Sequence, residues 1–385
     1  MSSLYFDNAA TTAMRPEVIE EMTDKMTTIY GNASSTHEFG RQAKKVLDDS
    51  REILAKSINA TDKEIIITSG GTESNNMALR QVAKIKQNEG KHIISTMIEH
   101  PSVLRTLEYL EDAGFEVTYL PVNIQGNISV DDVKSALRPD TILVSLMSVN
   151  NETGARLPIH EIGKLLKEHQ AVFHTDAVQS YGLDSIDVKR DHIDLLSTSA
   201  HKINGPKFIG FLYLNRDIFI KPLILGGEQE SKRRAGTENV PAIAGFAKAV
   251  SLLDDQSKQD KQLFFKQLTT QLLDYLKANK IEFEVNGQLE DQHSYHVLNL
   301  WIKGVETDRL QMNLDLNHIA VSGGSACSAG SLEPSHVLTA MYGPDSPRVQ
   351  ESIRISFGEF NTEEQVEVLG SQLIKIISRL LTKNK

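Results

Sequence analysis

Thr141-Ile-Leu-Val-Ser-Leu-Met-Ser-Val149 reads as one continuous apolar run. A strand with one wet face alternates apolar and polar residues, so a run of this kind fits a strand buried on both faces, as in a parallel sheet covered by helices. Further strand-like runs lie at 64–69, 92–96, 116–120, 171–175, 194–199 and 208–214, and helical patterns separate most of the early ones. Apolar residues recur at helical spacing through 41–58 (Ala43, Val46, Leu47, Ile53, Leu54, Ile58), and another helical stretch covers 73–87. This alternation predicts an α/β fold with a mostly parallel seven-stranded sheet flanked by helices.

The texture changes after residue 240. A long helical stretch over 241–279 contains the polar run Asp254-Asp-Gln-Ser-Lys-Gln-Asp-Lys261, which reads as a domain boundary. Beyond it strands are expected near 296–302 and 351–357, and helices near 306–316, 335–342 and 362–383, an α+β layout. The expected division is a large domain over 14–258 and a smaller one built from 1–13 and 259–385, with a loop at 322–333. A chain of 385 residues is long enough for two such cores.

A net charge of −10 argues against general nucleic-acid binding, which needs a basic face, although Lys232, Arg233 and Arg234 form a small basic patch. No apolar run approaches the roughly 18–20 residues that span a bilayer. The start, Met-Ser-Ser-Leu-Tyr-Phe-Asp-Asn at 1–8, lacks the basic-then-apolar layout of a signal peptide, so a cytoplasmic location is expected. Cys327 is the one cysteine, which excludes an internal disulfide and a Cys-ligated cluster or zinc site within one chain; no metal site is expected.

Ligands of open parallel sheets bind beyond the carboxyl ends of the strands. Gly70-Gly71-Thr72 follows the first strand and opens a helix, either as an ordinary tight-turn cap or as a phosphate seat on helix N–H groups. His100 comes next, a solvated loop residue or a ring that stacks on a flat ligand. Asn150-Asn151-Glu152 ends the run at 141–149. Asp176, with Gln179 three residues on, ends the following strand; a carboxylate there is a structural cap or the partner of a cationic ring nitrogen. Last comes Ser197-Thr-Ser-Ala-His-Lys202, followed by Ile-Asn-Gly-Pro-Lys207. Lys202 stands before a glycine-proline turn, where a desolvated amine can form a Schiff base, and Ser199 and His201 flank it as possible phosphate donors. Phosphate donors, a stacking ring, a ring-nitrogen carboxylate and a Schiff-base lysine are together what pyridoxal phosphate requires.

Two later features bear on substrate. Cys327 sits within Ser322-Gly-Gly-Ser-Ala-Cys-Ser-Ala-Gly-Ser331, whose small residues do not pack a core and which reads as a loop able to carry a thiol. The thiolate is the reactive form, so a neighbour must lower its pKa; His100 and His336 are both candidates. Arg354, in Ser352-Ile-Arg-Ile-Ser-Phe357, is either an exposed edge-strand residue or a fork for a substrate carboxylate.

Nine stretches resemble one known family over essentially the whole chain: DNAATT at 7–12, GNASSTHEFG at 31–40, TSGGTESNN at 68–76, EHPSV at 99–103, VNNETG at 149–154, HTDAVQ at 174–179, SAHKINGPK at 199–207, RAGTENVPA at 234–242 and GSACSAGSLEPSHVL at 324–338. The chain resembles the cysteine desulfurases of the NifS/IscS type, a branch of the fold-type I, class V aminotransferase-like pyridoxal phosphate enzymes. The resemblance implies that Lys202 holds the cofactor, His100 stacks on its ring, Asp176 pairs with the ring nitrogen and Gln179 approaches the phenolic oxygen. It implies a phosphate site of Gly71, Thr72, Ser199 and His201, joined by Thr237 from the second subunit of a homodimer. Asn151 and Arg354 would hold the substrate carboxylate. Cys327 would attack the sulfur of L-cysteine, leaving alanine and a persulfide for an acceptor protein, either an iron–sulfur scaffold or a tRNA-thiolating enzyme.

Two departures stand out. The usual glycine after Gly-Pro-Lys is Phe208, expected to crowd the turn behind Lys202, and Ser231 follows Gln-Glu where an arginine is common. Neighbouring activities on this scaffold are selenocysteine lyase and class V aminotransferase, the latter with no use for a thiol at Cys327. A non-catalytic sulfur-relay scaffold would have no reason to keep Lys202 and Asp176 together.

Overall fold

In chain order the strands are β1 (Leu4–Tyr5), β2 (Ile65–Thr68), β3 (His92–Thr96), β4 (Glu116–Leu120), β5 (Thr141–Met147), β6 (Val172–Asp176), β7 (Leu195–Ser197), β8 (Gly210–Leu214), β9 (Phe283–Val285), β10 (Val297–Ile302), β11 (Ile319–Ala320) and β12 (Ser352–Ser356). The structure, a computed structural model, describes residues 3–290, 293–323 and 334–383. Cys327 lies outside the described residues.

β2 to β8 form one seven-stranded sheet in the order β2-β8-β7-β6-β5-β3-β4. Only β8 runs against its neighbours β2 and β7; the pairs from β7 through β4 are parallel. All residues of β3, β5 and β6 are buried, which is why their sequences do not alternate. β4 at the edge is partly exposed. The helix Gly71–Lys86 crosses from β2 and buries Met77, Leu79, Val82 and Ala83 against one face of the sheet. On the other face Phe173, Leu196 and Phe211 pack with Phe246 and Ile243 from the helix Val240–Ser251.

The stretch expected as one long helix is two, Val240–Ser251 and Asp255–Ala278. Asp254 causes the break: its side chain accepts from the Ser257 N–H at 2.7 Å and so caps a new helix. The second helix also serves a different core. Phe265, Leu268, Leu272 and Leu276 pack over the antiparallel sheet β12-β10-β9 with Leu298, Leu300 and Ile353. Leu4 and Phe6 join that core because β1 pairs in parallel with β11. Among the described residues no helix is long and apolar enough to cross a membrane.

Both departures noted above fall on left-handed backbone. Phe208 has φ 59° and is 80% exposed, so its ring stands in solvent and the expected crowding behind Lys202 is not found. The cost of this residue is in its backbone instead. Glu230, Ser231 and Lys232 have φ 49°, 56° and 66°, three strained residues in succession. A buried ion pair holds them: Arg51 donates to both Glu230 oxygens at 2.6 and 2.7 Å, and the Ile67 N–H donates to Oε2 at 2.9 Å.

Two outcomes follow for equilibrium unfolding in urea. Glu230→Ala leaves the Arg51 guanidinium buried and unpaired, and lowers the unfolding free energy by about 3–5 kcal/mol. Phe208→Gly relieves a left-handed residue without removing packing, and raises it by about 1 kcal/mol.

Candidate active site

A cavity of about 880 Å³ opens at the carboxyl ends of the parallel strands. Lys202, His100, Asp176, Gln179, Gly71 and Thr72 line it, as do Asn151, Ser199, His201 and Arg354. His336, raised above as a neighbour for the thiol, is also in its wall. Thr237 does not line this cavity; it is exposed in the loop before Val240–Ser251.

Lys202 is presented by a single 3₁₀ turn, Ala200–Lys202, which follows β7. Its Nζ donates to the carbonyls of Ala10, at 2.8 Å, and Ala9. Those carbonyls belong to the N-terminal segment, which is fixed by the Thr12 N–H donating to His201 O and by the Ala9 N–H donating to Ser356 Oγ at 2.8 Å. The amine therefore faces oxygen atoms supplied by residues nearly two hundred positions away.

One continuous set of bonds links Asp176 to His100. Asn75 Nδ2 donates to Asp176 Oδ2 at 2.7 Å and to Ser102 Oγ at 2.8 Å. Ser102 donates both its hydroxyl, at 2.8 Å, and its backbone N–H, at 3.1 Å, to His100 Nδ1. The ring hydrogen must then sit on Nε2. Burial pushes the His100 pKa down, Asp176 works against this, and Lys202 and His336 add to it, so the ring is neutral. The second Asp176 oxygen accepts from the Val178 N–H at 3.0 Å. The carboxylate is buried and makes no ion pair among the described residues, so a cationic ring N–H would be its natural partner.

The opposite end of the cavity suits an anion. Gly70 caps the helix Gly71–Lys86 with φ 141°, and a side-chain carbon at Gly71 would lie 2.6 Å from Val178 Cγ2, so the backbone itself forms the wall. Glu73 in the first turn is neutralised by Arg234, whose Nε and Nη2 donate at 2.9 and 3.1 Å. The helix terminus is left electropositive toward the cavity. His201 is neutral, with its pKa pushed down to about 4 by burial and then by Lys202 and Lys207. An amine, a neutral ring, a buried carboxylate with no counter-ion among the described residues and a glycine-walled helix terminus fit pyridoxal phosphate.

Arg354 is buried, not an exposed edge residue. Its Nη1 donates to Asn151 O at 3.0 Å and its Nη2 to Asp7 at 2.8 Å, while Nε meets no partner among the described residues. Asn75, Ser102 and the Ala9 and Ala10 carbonyls were not singled out from sequence. Asn75 lies one helical turn beyond Gly71, a signal that was available; two backbone carbonyls carry none.

Glu99 is fully buried behind His100, and its backbone carbonyl accepts from His336 Nε2 at 2.9 Å. Its Oε1 accepts from Thr96 at 2.6 Å and from the Met147 N–H at 3.1 Å, while Oε2 has no partner among the described residues. Burial pushes its pKa up from 4.5 to about 8, against those two bonds and with Asp176 adding to the rise. The folded chain thus holds this proton at pH values where the unfolded chain has lost it. Its stabilising effect is complete below about pH 4.5 and is lost as the pH rises to about 8. Glu99→Gln removes this dependence: the stability lost between about pH 5 and 8.5, read from urea unfolding, becomes smaller by about 4 kcal/mol than in the unaltered chain.

The model of the aminotransferase class-V family matches residues 4–369. The chain is 51% identical to the putative cysteine desulfurase IscS 1 of Bacillus subtilis (strain 168) over 383 residues, covering 99% of this chain and 100% of that one. Among solved structures it superposes on a NifS-like protein with a TM-score of 0.91 at 34% identity, covering 98% of this chain and 100% of that one. It also superposes on SspA in complex with cysteine, with a TM-score of 0.81 at 36% identity, covering 94% and 100%. With its sequence matched almost end to end and its sheet and cavity in place, the chain belongs to the class-V aminotransferase family.

Proposed function

We propose that this chain is a cytoplasmic, homodimeric cysteine desulfurase that converts L-cysteine to L-alanine and passes the sulfur to Cys327 as a persulfide. The observation that carries the reading is the convergence of Lys202, Asp176, His100 and Arg354 on one cavity. The names of the related proteins, one of them described in complex with cysteine, support the choice of substrate.

Pyridoxal phosphate, when bound, supplies an electron-withdrawing ring that stabilises negative charge on the substrate's α-carbon. Asp176 would hold the proton of its ring nitrogen, with Asn75 and the Val178 N–H keeping the carboxylate oriented. His100, neutral and fixed by Ser102, would cover the ring face. Gly71, Thr72, Ser199 and His201, with Thr237 from a second copy of the chain, would hold the phosphate. Gln179 would face the phenolic oxygen. Lys202 Nζ, partly desolvated against Ala9 and Ala10, is the amine that would bind the cofactor's carbonyl carbon and then move the α-proton.

Asn151 and Arg354 would receive the substrate carboxylate, with the guanidinium already oriented by Asp7. The Cys327 thiolate would attack the substrate sulfur, forming the S–S bond as the carbon–sulfur bond breaks. The electron pair of that bond stays with the substrate carbon, which takes up protons to become alanine, so no external oxidant or reductant is needed. The persulfide would then pass to an acceptor protein, an iron–sulfur scaffold or a tRNA-thiolating enzyme.

Purified protein is expected to form alanine from cysteine while the Cys327 peptide gains the mass of one sulfur. Lys202→Ala lowers the rate by at least about a hundredfold, and Cys327→Ser removes both persulfide and turnover. Alanine formed equally well by Cys327→Ser would overturn the persulfide step in favour of a lyase.

A further inference from the structure

A second set of hydrogen bonds runs into the cavity from the side of the smaller sheet, and the chemistry of its two ends fixes its direction. Arg156, anchored on Asp184, donates from Nη2 to Ser294 Oγ at 3.3 Å. Ser294 Oγ lies 2.8 Å from His296 Nδ1, and His296 Nε2 lies 3.0 Å from Gln179 Oε1. Gln179 Nε2 donates to the Ala9 carbonyl at 2.9 Å, the same oxygen that accepts from Lys202. A guanidinium can only donate and a carbonyl can only accept. With a neutral ring between them one assignment satisfies every bond: the Ser294 hydroxyl donates to Nδ1, Nε2–H donates to Oε1, and the amide nitrogen faces Ala9.

We infer that His296 is a positioning residue, whose Nε2–H sets the orientation of the Gln179 amide so that an N–H, and not the carbonyl oxygen, is what Gln179 offers to the cavity. A reversed amide would oppose N–H to N–H at His296 and oxygen to oxygen at Ala9. The inference rests on the desulfurase reading only in naming the phenolic oxygen as the group that meets this N–H.

The ring is well suited to the task. His296 is buried beside Phe265, with ring centroids 6.5 Å apart. Burial, followed by Arg156, His293, Lys202 and Arg354, pushes its pKa down to about 3, so the ring is neutral. It stands just before β10, in the smaller core's part of the chain, yet it orders a side chain that follows β6.

The first test needs no cofactor. Nitrogen-15 NMR of histidine-labelled, cofactor-free protein is expected to show His296 as the Nε2–H tautomer, unchanged between about pH 5 and 9. A predominant Nδ1–H tautomer, or titration in that range, overturns the inference. In the pyridoxal phosphate-loaded protein, a donor at the phenolic oxygen stabilises negative charge there. His296→Phe, which keeps the ring volume, therefore raises the pH midpoint of the bound cofactor's absorbance change by at least about 0.5. His296→Gln, able both to donate and to accept, brings the midpoint at least halfway back. Should His296→Phe not fold, Ser294→Ala releases the tautomer and shifts the midpoint in the same direction. A folded variant lacking the donor whose midpoint stays within about 0.2 of the unaltered protein sinks the inference. Failure of the desulfurase reading shows separately, as no alanine from the unaltered protein, and the tautomer measurement still decides the role of His296.

Discussion

A carboxylate at the buried end of a central strand is the constraint on which this site depends. Asp176 closes β6 in the middle of the sheet, where an unpaired charge is costly. Asn75 and the Val178 N–H satisfy part of its need, and the same Asn75 reaches Ser102, which fixes His100. One charge thereby organises residues from three crossover connections. What is left over is a demand for a cation at the cavity, and that demand is the chemistry of a protonated pyridine ring.

The amine is held by a different device. Lys202 is carried by the large sheet, but the oxygens it meets come from the N-terminal segment. That segment is anchored by β1 on β11 and by Ser356, both in the smaller core. Arg354, two residues before Ser356 on β12, reaches back to Asp7 and Asn151. The cavity is thus a seam between two hydrophobic cores, and polar groups from each side orient those of the other. Gln179, between Ala9 and His296, lies on that seam.

Strain in the chain is placed where side chains can offset it. Glu230, Ser231 and Lys232 hold left-handed backbone beside the loop bearing Thr237, and the Arg51–Glu230 pair ties them to the sheet at Ile67. Arg234 then neutralises Glu73 at the mouth of the Gly71–Lys86 helix. Phe208 has no such support among the described residues, and its ring stays in water.

The sequence by itself determined the sheet and the order of polar residues at its strand ends. Both follow from local pattern: apolar runs for strands buried on two faces, and helical spacing between them. Lys202, Asp176, His100 and Gly71 were legible because each lies at the end of an element whose type its neighbours announce. The Asp254 break was hidden because a capping aspartate and a surface aspartate look alike in a polar run. The tertiary structure alone decided which groups meet. The Ala9 and Ala10 carbonyls, the burial of Arg354 and the His296–Gln179 bond join residues more than a hundred positions apart. No local pattern encodes such contacts, because packing between two cores, and not spacing along the chain, brings them within hydrogen-bond distance.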